Sequence, residues 1–464
     1  MGKVYLIAVL AFVMLACEKV VDEKSDLNTE TTNSVLRSVV VSGDNVYIAP
    51  SGDYSGITDA DNIEQGLNFV KASGGTIFLT DGNDASVDHY YTSRNIVVSE
   101  FYGCLRGEDK NNTTLHAGRQ SGGVGFEVAL SPWWSLTGGN PYLATVLQFD
   151  NSIGDVVVKD LTIKVEDDQP TDIIPDYYGN DASHISTFIE ILGGEHDTYI
   201  ENVCLLGKVT SAYGNANGMN VNWGVHVMLG SPVIELNESG KLFVKNLKVE
   251  NIGDAALMFM RFDEGSSIMV DQLAAINVKQ GITALNIFNS DIKVVNSYVK
   301  CQSNGFPGMF FHTIPTGLSI TDNRIENSTY WGVILHNNVN SAEVRNNTFI
   351  DLTKYFNFGA ILVRGSDNMI VQNDYKQSKL SGIGLNGGAV ILSAVSSNNY
   401  VHEMKFTPTQ GLTLCDMIFD GTDNALTAYY DGLNEIHNYE ACENMAKRHF
   451  KMEEIQLNKR GANR

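Results

Sequence analysis

Residues 242–251 read LFVKNLKVEN, and variants of this phrase recur along the chain. Each copy holds two short runs rich in β-branched residues, with Asn, Asp or Gln between them and no helical period. The copies follow one another every 24 to 27 residues. A repeat of this length and composition is typical of a β-solenoid. The later copies are IKVVNSYVKC (292–301), LSITDNRIEN (318–327), AEVRNNTFID (342–351) and NMIVQNDYKQ (368–377).

The repeat predicts an all-β, right-handed, single-stranded parallel β-helix whose coils each contain three strands. Strands in successive coils would be hydrogen-bonded neighbours ~4.8 Å apart, so residues one repeat apart would stack. We therefore expect the polar residue between the two runs to form an internal amide ladder. Its copies are assigned to Asp160, Asn202, Asn246, Gln272, Asn296, Asn323, Asn347 and Asn373.

Two coils are longer than the others, because they contain insertions at 167–186 and 208–222. Both insertions fall between the second and third strands of adjacent coils, so they are expected to lie side by side. Loops carried on a rigid scaffold are common locations of functional residues. The alternative is that these segments only lengthen the corners.

The region 46–117 is predicted to begin with an amphipathic helix at 58–71, which presents Ile63, Leu67 and Val70 on one face. GGTIFL (74–79), YYTSRNIVV (90–98) and GCLRGEDKNNTTL (103–115) follow. This order resembles the N-terminal part of the pectate-lyase-like superfamily of right-handed parallel β-helices. The resemblance implies that the helix closes one end of the solenoid and protects its core from water. The catalytic phrases of polygalacturonases and pectate lyases are absent, so the resemblance implies no catalytic residues.

The ends of the chain predict export and anchoring. Lys3 and the apolar run 4–16 have the layout of a signal peptide. The sequence Met14-Leu15-Ala16-Cys17 resembles the lipobox of bacterial lipoproteins, in which the cysteine is lipidated. An ordinary cleaved signal is the alternative. The predicted localisation is the bacterial cell envelope, facing the periplasm or the exterior, with the membrane contacted through the lipid anchor alone.

The sequence is accordingly divided into five regions. A C-terminal helical segment is expected within the last of them. The regions are a signal peptide (1–16), a flexible tether (17–45), the N-terminal cap with the first strands (46–117), the β-helix (118–400) and a C-terminal cap and tail (401–464).

The chain has a formal net charge of -22. This acidity argues against nucleic-acid partners, which would be repelled. It also favours neutral glycans over anionic polymers, unless cations assist binding. Six cysteines occur, and none has metal-ligand spacing. Lipidation of Cys17 would leave five, an odd number, so no disulfide framework is predicted; a single Cys415–Cys442 bridge is the alternative.

Three third-strand segments align by a glycine: WGVHV at 223–227, GMFFH at 308–312 and WGVILH at 331–336. His226, His312 and His336 then share parity and are expected to point outward as one polar row. Glu190 and Asn286 are expected to continue this row, with Arg261 near it.

Residues on the insertions would flank this row and form a groove suited to a linear polysaccharide, because aromatic rings and polar groups bind sugars. His226, His312, His336 and Glu190 are candidate catalytic groups. Asp167 and Asp168 are candidates for glycoside hydrolysis or for a calcium site. The candidate binding residues are Trp223, Tyr177, Tyr178, Tyr213, Asn286, Arg261 and Lys208.

The sequence therefore predicts an envelope lipoprotein that binds a polysaccharide, with cleavage of the lyase or glycoside-hydrolase type as an open question. The alternative is a non-catalytic solenoid that serves in structure, adhesion or glycan binding. Because one scaffold can host many functions, the fold does not decide between these hypotheses.

Overall fold

The computed structural model describes the chain from Val39 to residue 431 with internal gaps. The described ranges are 39–80, 89–118, 145–165, 187–207, 223–230, 237–302, 307–328, 331–352, 360–376, 388–392, 396–407, 415–419 and 425–431. The predicted signal peptide, both insertions and the expected C-terminal helix lie outside these ranges. The division of the chain into five regions therefore stays a prediction.

The strands stack in three columns along one axis, after an initial strand β1 (Val39–Ser42). The first column contains β2 (Asn45–Ile48), β3 (Thr76–Leu79), β6 (Gly103–Gly107), β9 (Val156–Val165), β11 (Thr198–Leu206), β13 (Lys241–Lys245), β16 (Ser267–Asp271), β19 (Asp291–Val295), β22 (Leu318–Thr321), β25 (Glu343–Arg345), β28 (Met369–Val371) and β31 (Tyr400–Thr407).

In each coil the chain bends between its first-column strand and its second-column strand. The long strands β9, β11 and β31 continue through this bend and pair with strands of both columns. The second column contains β4 (His89–Thr92), β7 (Thr114–Ala117), β14 (Lys248–Glu250), β17 (Ala274–Val278), β20 (Tyr298–Cys301), β23 (Arg324–Glu326), β26 (Thr348–Ile350), β29 (Asp374–Lys376) and the later part of β33 (Ala425–Asp431). The first residues of β33 pair with the first-column part of β31.

The third column forms a separate sheet of eleven strands. It contains β5 (Ile96–Ser99), β8 (Thr145–Asp150), β10 (Thr187–Leu192), β12 (Trp223–Met228), β15 (Ala255–Met260), β18 (Gln280–Leu285), β21 (Met309–His312), β24 (Val333–Leu335), β27 (Ile361–Val363), β30 (Gly388–Leu392) and β32 (Cys415–Phe419).

Strands in each column are parallel and pair with the strand one coil later, as Val244 pairs with Val270 and Ile282 with Met309. This pairing confirms the predicted parallel β-helix. Alternate residues point inward and form one continuous apolar core, which includes Phe259, Phe311 and Phe349.

Helix α1 (Ile57–Val70) confirms the predicted capping helix. Its Ile63, Leu67 and Val70 are fully buried in the core, as the helical spacing predicted. Strand β1 pairs antiparallel with β2 and so occupies the edge of the first column. The helix and this edge strand lie at the N-terminal end of the stack, where an open solenoid would expose its core.

The corners between the first and second columns each use one residue in the left-handed backbone region, with φ values such as 53° for Asn202 and 52° for Asn246. Asn and Asp tolerate this conformation better than other residues with a side chain. Asn246 donates to Asn202, which donates to Asp160, so an exposed amide row follows these corners. The corner residues are Asp160, Asn202, Asn246, Gln272, Asn296, Asp322, Asn346 and Gln372.

The buried amide ladder lies one position later and is formed by Asn323, Asn347 and Asn373. The backbone N–H and the Nδ2 group of Asn323 donate to Oδ1 of Asn347, at 2.9 and 3.0 Å. Asn347 contacts Asn373 in the same way, and its Nδ2 also donates to the carbonyl of Ile320. The predicted internal ladder is therefore correct for these three residues. It is wrong for Asp160, Asn202, Asn246, Gln272 and Asn296, which occupy the left-handed corners.

Replacing Asn347 with Ala should lower the free energy of unfolding by ~2–4 kcal/mol, because several buried donors and acceptors would lose their partner. The matched control is Asn68→Ala on the exposed side of α1, which should change it by less than ~0.5 kcal/mol. Urea unfolding would measure both. Equal effects of the two variants would contradict the role of the ladder.

Candidate functional site

The outward side chains of the third column form two rows along the axis, and we call this surface the third face. The second row lies two residues further along each strand. Row one holds Gln148, Glu190, His226, Met258, Thr283, Phe310, Ile334 and Leu362. Row two holds Asp150, Leu192, Met228, Met260, Leu285, His312, His336 and Arg364.

A glycine stands just before the third-column strands β21 and β24, because the backbone there passes very close to side chains of the second column. A Cβ on Gly332 would lie 2.3 Å from Cδ1 of Phe349, and one on Gly308 would lie 2.5 Å from Cγ2 of Ile325. Only glycine fits so close to a core side chain. The glycine that aligned the histidines in the sequence therefore fixes the start of each third strand.

Glu190 and His226 form a buried pair in row one. They lie opposite each other on β10 and β12, and Nδ1 of His226 is 3.0 Å from Oε1 of Glu190. Thr145 on β8 donates its hydroxyl to Oε2 of the same carboxylate at 3.1 Å. Glu190 is 0% exposed and His226 is 2% exposed. A carboxylate with a donor on each oxygen is satisfied despite its burial.

Trp223 joins this pair to the edge of the column. Its ring centroid is 5.2 Å from that of His226, and its indole N–H donates to Asp254. The ammonium of Lys279 lies 3.7 Å from Oδ1 of Asp254. Burial raises the pKa of Asp254, although the contacts with Lys279 and Trp223 oppose this rise.

A second cluster in the later coils is more accessible and contains Phe310, His312, His336 and Arg364. The two imidazoles stack with centroids 4.8 Å apart, and Phe310 lies 5.5 Å from the His336 ring. Nη1 of Arg364 is 2.9 Å from Nε2 of His336. We call these four residues the aromatic–arginine cluster. All four are half-buried.

The two histidines of this cluster are neutral at pH 7. Burial, with the charge of Arg364 and the neighbouring His312 adding to it, lowers the pKa of His336 to about 4. Burial also lowers the pKa of His312. Because Arg364 has only donors, Nε2 of His336 must accept the hydrogen bond from it. The imidazole therefore carries its proton on Nδ1.

The three outer faces differ in charge. The first and second columns carry ion pairs between outward residues of one strand, whereas the rows of the third face carry no carboxylate between β12 and β27. Between β12 and β27 the third face is thus the least charged of the described faces. The ion pairs are Lys293–Asp291 and Arg345–Glu343 in the first column, and Lys248–Glu250, Arg324–Glu326 and Lys376–Asp374 in the second.

The predicted single exposed row of histidines is wrong in two respects. His226 and Glu190 are on the outer side, as their parity indicated, but they are buried rather than exposed. His226 also lies in row one, while His312 and His336 lie in row two. Three strand spacings, or ~14 Å, separate β12 from β21 along the axis. The structure therefore forms two clusters on one face.

Asn286 and Arg261 do not continue the row. Both occupy left-handed corners, with φ values of 55° and 65°, immediately after β18 and β15. The residues of β18 that do lie in the rows are Thr283 and Leu285. A corner residue cannot keep the strand's alternation, so the expected position of Asn286 was wrong. Arg261 was expected only near the row, and it directly follows Met260 of row two.

Several predicted site residues lie outside the described ranges, and their roles stay predictions. Within those ranges, no group of three or more His, Cys, Asp or Glu side chains is arranged to hold a metal ion. A search of the same residues finds no helix both long and apolar enough to cross a membrane. Cys104, Cys204 and Cys301 take part in no disulfide bond. The undescribed residues are Cys17, Asp167, Asp168, Tyr177, Tyr178, Lys208 and Tyr213.

Thr145, Asp254, Lys279 and Arg364 were not identified from the sequence. Each lies beside a predicted residue only because strands one coil apart are in register. Arg364 follows Ile361-Leu362-Val363 as His336 follows Val333-Ile334-Leu335, so aligning the coils could have found it. Asp254 and Lys279 lie just before third strands, and no sequence pattern marks them.

Comparison with known proteins gave structural matches only. No protein-family model matches the chain, and no curated protein matches it. DFA-IIIase from Arthrobacter chlorophenolicus A6 in complex with DFA-III has 12% identity and a TM-score of 0.46, over 82% of this chain and 94% of that one. A PL6 alginate lyase in complex with a trisaccharide has 10% identity and a TM-score of 0.46, over 87% and 88%. The mannuronan C-5 epimerase AlgE4 A-module of Azotobacter vinelandii has 10% identity and a TM-score of 0.33, over 80% and 96%.

Acidification should destabilise the protein partly through His336. Between the ordinary histidine pKa of 6.5 and about 4, the unfolded chain binds a proton that folded His336 does not. Stability should therefore fall as the pH drops through this window. His336→Gln, which can still accept from Arg364, should reduce the loss of Tm between pH 7 and pH 4.5.

The control for this measurement is His89→Gln, since His89 is exposed on β4. It should keep the wild-type loss of Tm over the same pH range. A His336→Gln variant with an unchanged pH dependence would show that this imidazole is not held neutral in the folded state.

Proposed function

We propose that this chain is a lipid-anchored protein of the bacterial cell envelope that binds a polysaccharide on its third face. The observation that carries the proposal is the aromatic–arginine cluster, on the outer face whose described rows hold no carboxylate between β12 and β27. A surface of this kind is suited to sugars, which offer apolar ring faces and a periphery of hydroxyl groups.

The chemistry of the cluster fits such a ligand. The Phe310 ring and the stacked imidazoles of His312 and His336 offer apolar faces. Because both histidines are neutral, they can exchange hydrogen bonds with hydroxyls without a charge to desolvate. Arg364 adds donors for a hydroxyl or an anionic substituent.

The surface between the two clusters is suited to an extended ligand. Met258, Met260, Thr283 and Leu285 occupy it, and none of them carries a charge. Met260 and Leu285 are half-buried, whereas Met258 and Thr283 are buried beside them. Methionine is flexible and polarizable, so it adapts to irregular partners. A linear polymer lying along the axis would contact both clusters, which is the arrangement we propose.

Anchoring by lipid is supported by the sequence alone. The short apolar run before Cys17 is that of an exported protein, and Cys17 is the expected acylation site. Residues 17–38 would then be the tether between the membrane and β1, because residues 39–45 belong to the folded edge of the first column. Palmitate labelling in a bacterial host, with loss of label in Cys17→Ser, would test this part of the proposal independently.

Cleavage of the bound polymer, by a lyase or hydrolase reaction, is the second candidate function. It is favoured by the buried Glu190–His226 pair, because an imidazole oriented by a carboxylate is a common proton acceptor. Trp223 and the nearby Lys279 add a ring face and a cation to the same region.

A binding screen tests the first candidate. Cellohexaose, mannohexaose, xylohexaose, polygalacturonate and alginate, the last two with and without Ca²⁺, would be titrated against the protein by calorimetry. At least one should bind, and the Phe310→Ala/His312→Ala double variant should weaken that binding by ~10-fold or more.

Lys293→Ala is the control, because Lys293 is exposed on the first column and pairs with Asp291. It should bind as the wild type does. If no probe binds, or if the double variant binds at full strength, the third face is not a glycan site.

Product formation separates the two candidates. Incubation with the retained polysaccharide would be followed by absorbance of the unsaturated product and by release of reducing ends. Either signal, abolished in a His226→Ala/Trp223→Ala variant that keeps its fold, would establish cleavage. Binding without either signal would leave a recognition role alone.

A further inference from the structure

The strongest feature of the third face outside the aromatic–arginine cluster is the unsatisfied nitrogen of His226. Its Nε2 atom is buried and has no hydrogen-bond partner among the residues that the structure describes. The other nitrogen, Nδ1, faces Oε1 of Glu190 at 3.0 Å. Buried polar atoms are usually paired, so an unpaired one on an outward-facing residue indicates a place for a ligand atom.

The contact with Glu190 decides the tautomer of this imidazole. An ionised carboxylate only accepts hydrogen bonds, so Nδ1 of His226 must carry the hydrogen. In the neutral ring, Nε2 then has a lone pair and no hydrogen. A neutral ring is thereby held as an acceptor on the side opposite Glu190.

Thr145 fixes the carboxylate in turn. Its hydroxyl donates to Oε2 of Glu190, so both oxygens of this group are occupied and neither can turn toward a ligand. Glu190 therefore cannot contact a substrate without breaking one of these hydrogen bonds, whereas Nε2 of His226 has no partner to lose among the described residues. Thr145 and Glu190 are thus positioning residues, and His226 is the group that would touch the ligand.

We propose that Nε2 of His226 accepts a hydrogen bond from a hydroxyl group of the bound sugar, and that Glu190 and Thr145 determine this preference by locking the tautomer. This inference rests on the proposed glycan binding. It adds a specificity: the site selects a hydroxyl donor and rejects the same sugar when that oxygen is alkylated, because Nε2 would then stay buried without a partner.

The tautomer can be measured without any ligand. Histidine labelled with ¹⁵N would be recorded by two-bond ¹⁵N–¹H correlation at pH 8, and the His226 signals assigned by their loss in His226→Gln. We expect Nδ1 protonated and Nε2 unprotonated. A ring protonated at Nε2, or an even mixture of the two tautomers, would overturn the proposal.

Two variants test the positioning roles. Glu190→Gln supplies both a donor and an acceptor, so the tautomer should become mixed. Thr145→Val removes the hydroxyl that holds the carboxylate, so the fraction of His226 protonated at Nε2 should rise in this variant as well. The matched control is Thr187→Val, since Thr187 is paired in register with Thr145, is equally buried, and its hydroxyl has no partner among the described residues.

Binding measurements then test the ligand preference. The oligosaccharide retained in the screen and its per-O-methylated form would be titrated against wild type, Glu190→Gln and Thr187→Val. Wild type and Thr187→Val should prefer the unmodified sugar by ~10-fold or more, and Glu190→Gln should lose most of that preference. Equal preference in Glu190→Gln and wild type would overturn the proposed role.

Failure of the two proposals can be distinguished. If no probe binds the wild type, the glycan-binding proposal fails. The ¹⁵N spectrum then tests only whether Glu190 and Thr145 hold the His226 ring in one tautomer. If a probe binds but the tautomer is not the expected one, glycan binding stands and the specific role of His226 falls.

Discussion

Hydrogen bonding between each strand and the strand one coil later is the constraint on which the rest of the structure depends. Because the pairing is parallel and in register, most strand residues lie directly above their counterparts in the next coil. Each position therefore becomes a row along the axis. A row must be made of residues that tolerate one another at a strand spacing of ~4.8 Å, and that requirement selects the side chains inside and outside the solenoid.

Inside the solenoid the requirement is met by apolar packing and by amides. Phe259, Phe311 and Phe349 fill the core, while Asn323, Asn347 and Asn373 satisfy one another's donors and acceptors. Outside, the first and second columns pair opposite charges within single strands. The described rows of the third face have no such ion pairs within single strands. They carry instead a buried Glu–His pair and the aromatic–arginine cluster. This departure from the other faces is what suggests function there.

Much of the fold could be predicted from the sequence, because the repeat length, the β-branched runs and the capping helix each leave a local pattern. Histidine parity was also predictable, since it depends only on alternation within a strand. Exposure was not: Glu190 and His226 are buried by surroundings that no pattern within β10 or β12 reveals. Nor was the corner geometry foreseen, which moved Asn286 out of its expected row and separated Asn296 from Asn323. The partners Thr145, Asp254 and Lys279 depend on register between coils with long insertions, where counting residues fails.

The most direct test of the account is hydroxyl-radical footprinting of the protein with and without the polysaccharide that the screen retains. If the third face binds the polysaccharide, oxidation of Met260, Phe310 and His312 should be lower when the ligand is bound. Oxidation of Tyr298 and Tyr47, which lie on the second and first columns, should be unchanged. Protection of those tyrosines, with none on the third face, would contradict the central claim that this face is the binding surface.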